Sequence, residues 1–213
     1  MKGNANPLAV DLPGHGRSEG VPENEISAYR DWLHRFVETI GLGPFIPAGH
    51  SMGGAIALDY ALHYPEEVLG IILVGSGGRL RVLPAFLESM REGTVPGTLF
   101  ESLYGPETSD ELLEKGREEL ESTAASIYYS DFCACDKFDL IEELPKIKQP
   151  ALIICGSEDC LTPVKYSHFL EDKLPRGRVE IIDGAGHMAM LENPEAVNRA
   201  IARFIEELIP GDR

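Results

Sequence analysis

The chain has 213 residues, a size that builds one large domain or two small ones. Hydrophobic residues make up 43% and charged residues 25%, a globular balance that excludes a disordered, collagenous or coiled-coil chain. Nineteen Lys and Arg against 35 Asp and Glu leave a formal charge of −16, whose field repels phosphate backbones and anionic membranes and so sets aside nucleic-acid binding and polybasic anchoring.

No apolar run approaches the roughly 18 residues of a membrane span, and the opening MKGNANPLAVDLPG has no apolar core of signal-peptide length. Cys133, Cys135, Cys155 and Cys160 do not make a disulfide scaffold in a chain this long. A four-thiolate zinc site would ordinarily use C-x2-C pairs, and none is present. Reduced thiols in a cytoplasmic protein are expected, with no metal and no cofactor.

Five short apolar runs read as strands buried on both faces: 7–10, 45–48, 71–74, 151–155 and 179–182. Most end in a glycine-rich or polar turn. Between them the spacing turns helical. Ile26, Trp32, Leu33, Phe36, Val37 and Ile40 recur at threes and fours, with Glu23 or Asn24 as cap candidates and Gly41 as the stop. Helices are also expected over 52–64, closed by Pro65, over 164–174, and over 194–209, opened by Pro194 at its first position. Strand alternating with helix gives an α/β fold with a mainly parallel sheet flanked by helices.

Between the runs at 71–74 and 151–155 lie about 75 residues without a strand-like run. Helices are expected there over 80–91, 98–104, 109–120 and 123–133. The expected organisation is a core of 1–75 and 147–213, with 76–146 inserted as a helical lid over the binding crevice.

The sharpest chemical signal is Gly49-His50-Ser51-Met52-Gly53-Gly54, between an expected strand and an expected helix. A G-x-S-x-G turn of that kind forces the serine into a strained backbone and lifts its hydroxyl clear of the sheet. The helix N-terminus also offers the Met52 N–H to a developing oxyanion. Serine needs a base, and the base an orienting acid. Asp159 follows the 151–155 run, and His187 follows the 179–182 run in Asp183-Gly-Ala-Gly-His187. The order is Ser, Asp, His.

With DLPGHGRS at 11–18, GHSMGG at 49–54, GSED with the following LTP at 156–163, and GAGH at 184–187, the sequence resembles α/β-hydrolase-fold serine hydrolases of the lidded esterase and lipase kind. The resemblance implies Ser51 as nucleophile, His187 as general base and then acid, Asp159 as the carboxylate that fixes the imidazole, and Met52 as oxyanion donor. His50, Phe86, Tyr128 and Met188 are the candidate substrate-binding residues. Asp11 and His15 are read as parts of a structural turn.

The resemblance also implies about three further strands before the DLPGHG turn, so the chain reads as an N-terminally shortened member. Pro47 cannot donate to a ladder and suits a sheet edge, through which copies of the chain could associate. The expected activity is hydrolysis of a small-molecule carboxylic ester. Carbon–carbon bond hydrolysis or peracid formation on the same three residues is the alternative, and a small-ligand receptor or an inactive shortened hydrolase is the rival from another class.

Overall fold

The computed structural model describes residues 5–209. Four parallel strands form one sheet: β1 (Ala48–His50), β2 (Ile71–Val74), β3 (Ala151–Gly156) and β4 (Gly177–Ile182), in the order β1-β2-β3-β4. The two middle strands are buried at every residue, which is why they read as unbroken apolar runs.

Side chains alternate between the two faces of the sheet. Ile71, Leu73, Ala151 and Ile153 face a core built with α1 (Ile26–Ile40), α2 (Met52–His63) and α7 (Val164–Lys173). Ile72, Val74, Leu152 and Ile154 face the opposite core, which α9 (Pro194–Leu208) closes with Val197, Ala200 and Phe204. The result is a three-layer α/β fold.

The helix ends follow their local chemistry. Gly41 takes φ 62°, and the N–H groups of Gly41 and Leu42 return to Glu38 and Val37 carbonyls. Asn193 caps α9 by accepting the Ala196 N–H at 3.1 Å, with Pro194 opening the helix. The start of α1 differs from expectation: Glu25 holds the cap position without a side-chain hydrogen bond.

Two strand expectations are corrected. The 7–10 run has irregular backbone, because no strand among the described residues runs beside it and an unpaired segment has no ladder to join. The 45–48 run pairs later than its apolar pattern indicates. Phe45 forms an isolated bridge to Val68, Pro47 accepts the Ile72 N–H but has none to give, and the ladder starts at Ala48. β1 is an edge of the sheet, as Pro47 indicated, and Ala48 is exposed there.

Between β2 and β3 stand four α-helices, α3 (Pro84–Arg91), α4 (Gly97–Glu101), α5 (Asp110–Ser122) and α6 (Ala125–Lys137), and a 3-10 turn at Leu144–Lys146. Asp131 ties α6 to the rest of the molecule. Its carboxylate accepts the Tyr29 hydroxyl from α1 at 2.5 Å and the His15 Nε2–H at 2.8 Å. The 11–18 turn is also knit internally, with the Arg17 N–H and the Ser18 hydroxyl on Asp11. No helix among the described residues is long and apolar enough to cross a membrane.

Candidate active site

The turn from β1 into α2 contains Ser51, the one non-glycine residue with positive φ among the described residues, at φ 51° and ψ −113°. That conformation costs an L-residue of order 1–3 kcal/mol and persists only where its surroundings hold it. Here they do. The Ser51 N–H donates to the Val74 carbonyl at 2.9 Å, and the Ser76 hydroxyl donates to the Ser51 carbonyl at 2.8 Å.

Glycine is required where the turn doubles back. A Cβ on Gly49 would sit 2.0 Å from the Gly53 carbonyl atoms, and one on Gly54 would sit 2.6 Å from the Ser76 side chain. Gly49→Ala is expected to destabilise the fold by about 3 kcal/mol, since the obstacle is backbone and cannot swing aside. Urea unfolding of the two chains measures it.

At the ends of β3 and β4 a second constellation forms. His187 donates Nδ1–H to Asp159 Oδ2 at 2.9 Å, and both residues are buried. Asp159 also accepts the Leu161 and Thr162 N–H groups on Oδ1, at 2.9 and 2.8 Å, and the Thr162 hydroxyl on Oδ2 at 2.8 Å. Burial alone would push this carboxyl upward. The hydrogen bond and charge of His187, with the Thr162 donors, outweigh it and hold Asp159 below the usual carboxylate value. With Nδ1 committed to Asp159, Nε2 is the imidazole nitrogen left for proton transfer.

Ser51, Asp159 and His187 follow strands of one parallel sheet, so all three stand at its C-terminal edge, where open α/β sheets bind ligands. Two features link the surroundings of Ser51 to His187 and Asp159. His50, the chain neighbour of Ser51, donates Nε2–H to the His187 carbonyl at 3.0 Å, and the two rings lie 4.5 Å apart. Between them β2 ends at Gly75, where a Cβ would sit 3.1 Å from His187 Nδ1 and 3.3 Å from Asp159 Oδ2. Met52 opens α2, so its N–H has no partner inside the helix.

A model of the Alpha/beta hydrolase family matches residues 2–200. The chain belongs to this family. A thermophilic esterase of known structure is 34% identical, superposes with a TM-score of 0.82, and is similar over 93% of this chain and 79% of its own. Monoacylglycerol lipase ABHD6 of Rattus norvegicus is 26% identical over 235 residues, 95% of this chain and 68% of that one. The (E)-2-((N-methylformamido)methylene)succinate hydrolase of Acinetobacter baylyi is 25% identical over 210 residues, 93% of this chain and 80% of that one.

In this α/β hydrolase the residues expected to bind substrate lie in different settings. His50 precedes Ser51 in the chain, and its Nε2 is already bonded to the His187 carbonyl. Met188 follows His187, and its N–H donates to the Leu103 carbonyl of the helical stretch between β2 and β3. Phe86 and Tyr128 are half-buried on α3 and α6. A cleft of about 510 Å³ opens between α5 and residues 183–193, walled by Glu107, Thr108, Asp183 and Glu192 among others and by none of Ser51, Asp159 and His187.

Three residues at this edge lie beyond what the sequence pattern singled out: Ser76, which holds the Ser51 carbonyl; Thr162, which saturates Asp159; and Glu192, which bonds the His187 loop. The LTP that follows GSED was the only signal for Thr162. A lone serine in VGSGG and a lone glutamate on a helix carry no pattern.

His50 predicts a pH effect. Burial first, and the neighbouring His187 second, push it down to about 3 from the ordinary 6.5. The unfolded chain therefore takes up this proton before the folded chain does, and stability falls as pH drops below about 6.5, levelling off near 3. His50→Gln is expected to flatten that fall, read from urea midpoints of both chains between about pH 7 and pH 4.

Proposed function

We propose that this α/β hydrolase cleaves carboxylic esters through Ser51, His187 and Asp159. Ser51 Oγ attacks the ester carbonyl while His187 Nε2 takes its proton. Asp159 keeps the imidazole in the tautomer with Nδ1 protonated and stabilises the imidazolium. The tetrahedral oxyanion lies against the Met52 N–H at the positive end of α2. His187 then protonates the departing alcohol, and water, deprotonated by His187, releases the acyl group from Ser51. The relay uses protein groups alone.

The observation that carries this reading is the buried 2.9 Å His187–Asp159 pair at the same sheet edge as a serine held at φ 51° on a strand-to-helix turn. A fold has no structural use for that strain. The likeness to a thermophilic esterase and a monoacylglycerol lipase supports an ester substrate of small to medium acyl or monoglyceride type. We assign 1–75 and 147–213 to the core and 76–146 to a lid, with Phe86 and Tyr128 as walls of its acyl pocket. The free thiols fit a cytoplasmic setting.

The likeness to the Acinetobacter baylyi hydrolase favours a second reading, hydrolysis of a bond other than an ester by the same residues. A panel of p-nitrophenyl esters run beside a vinylogous diketone separates the two. Turnover of the esters supports the first; turnover of the diketone alone rejects it.

A further inference from the structure

His187 stands in a short loop, residues 183–188, between β4 and α8 (Ala189–Glu192), where regular structure satisfies few main-chain groups. Its backbone is fixed by specific partners instead. Gly184 N–H donates to the Ser157 hydroxyl at 2.9 Å, the Ala185 carbonyl accepts the Glu158 N–H at 2.9 Å, and Met188 N–H donates to Leu103 at 3.0 Å. The N–H of Gly186, directly before His187, goes to the Glu192 carboxylate, 2.9 Å from Oε1 and 3.1 Å from Oε2.

Glu192 does more than close its own turn. Its Oε2 also accepts the Gly105 N–H at 2.7 Å and the Thr108 hydroxyl at 2.7 Å, both from the inserted segment after α4. Its donors are main-chain N–H groups and a hydroxyl, and a carboxylate accepts these as charge-assisted bonds of the stronger kind. The two backbones touch at glycines. A Cβ on Gly105 would lie 2.5 Å from the Gly184 carbonyl, and one on Gly186 would lie 2.5 Å from the Gly105 nitrogen. The close approach brings both sets of donors within reach of one carboxylate.

We propose that Glu192 is a positioning residue that clamps the His187 loop to the 103–108 segment of the insertion, so that the aim of the imidazole depends on how the insertion docks. The inference rests on the reading of His187 as general base. An imidazole displaced by an ångström loses about 10²-fold in rate while substrate binding is retained. A glutamine at 192 keeps the shape but can accept on one side only, and sets an NH₂ against one of the donors.

The test compares wild type with Glu192→Gln, Thr108→Val and, as the check on the underlying reading, His187→Ala. Turnover of p-nitrophenyl butyrate gives kcat and KM, melting temperature reports the fold, and the low-field proton NMR signal of the His187–Asp159 hydrogen bond reports the imidazole. Glu192→Gln is expected to lower kcat by about 10- to 100-fold, with KM within about twofold and the low-field signal broadened or lost. Thr108→Val moves the same readouts in the same direction by less. Unchanged kcat and an unchanged signal in Glu192→Gln, with or without a lower melting temperature, overturn the clamp while an inactive His187→Ala leaves the base assignment standing. Should Glu192→Gln fail to fold, the same unchanged pair in Thr108→Val overturns it. Full turnover by His187→Ala sinks the underlying reading instead.

Discussion

Ser51→Ala is expected to lower kcat/KM for a p-nitrophenyl ester by at least about 10⁴-fold, because the Ser76 and Thr162 hydroxyls at this edge are committed to the Ser51 carbonyl and to Asp159. The same substitution leaves the fold almost untouched. The Ser51 side chain makes no capping hydrogen bond to α2, and the contacts that hold the residue at φ 51° use its main-chain N–H and carbonyl. Loss of the hydroxyl therefore removes no structural bond, and stability is expected within about 1 kcal/mol of wild type. Ester kinetics and urea unfolding on one preparation separate a nucleophile from a structural serine. A large fall in both would mark Ser51 as a turn residue.

Asp159→Asn is expected to cost about 10⁴-fold in kcat, and by a different route. The carboxylate accepts from Leu161, Thr162 and His187 at once. An amide that turns its oxygen to the two backbone N–H groups presents NH₂ to His187, which must then carry its proton on Nε2 and cannot take one from Ser51. The substitution also changes how stability responds to acid. Asp159 is held below the ordinary carboxylate value, so its contribution to stability is complete above about pH 3.9 and is lost as pH falls through the lower folded value. The stability gap between wild type and Asp159→Asn should narrow on acidification, measured by urea midpoints at several pH values.

The parts of this molecule that were legible in its sequence are those with a local physical signature. Residues 151–155 read as a strand because a strand buried on both faces must be apolar at every position, and Ser51 stood out because a strand-to-helix turn of that tightness needs glycine on both sides of the serine. The same logic misled at 7–10. There the apolar run looks like a strand, but a strand exists only through a partner, and partnership is a long-range property that four residues do not encode. Pro47 carried real information: its missing N–H delays the ladder to Ala48.

Contacts between segments far apart in the chain were not legible. Ser76 meets Ser51, Asp131 meets His15 and Tyr29, and Glu192 meets Gly105, each pair joined by hydrogen bonds across distant stretches of the sequence. A polar side chain of this kind looks like any solvated one until the fold supplies its donors. The order of Ser51, Asp159 and His187 was readable because each follows a strand end, and the topology of a parallel sheet sends all strand ends to one edge.

The most direct measurement is reaction with a fluorophosphonate, followed by peptide mapping in a mass spectrometer. The account predicts a single adduct, on Ser51 Oγ, formed by wild type and lost in His187→Ala, since the probe requires a hydroxyl activated by its base. An adduct elsewhere in the chain, or labelling of Ser51 that persists undiminished without the imidazole, would contradict it.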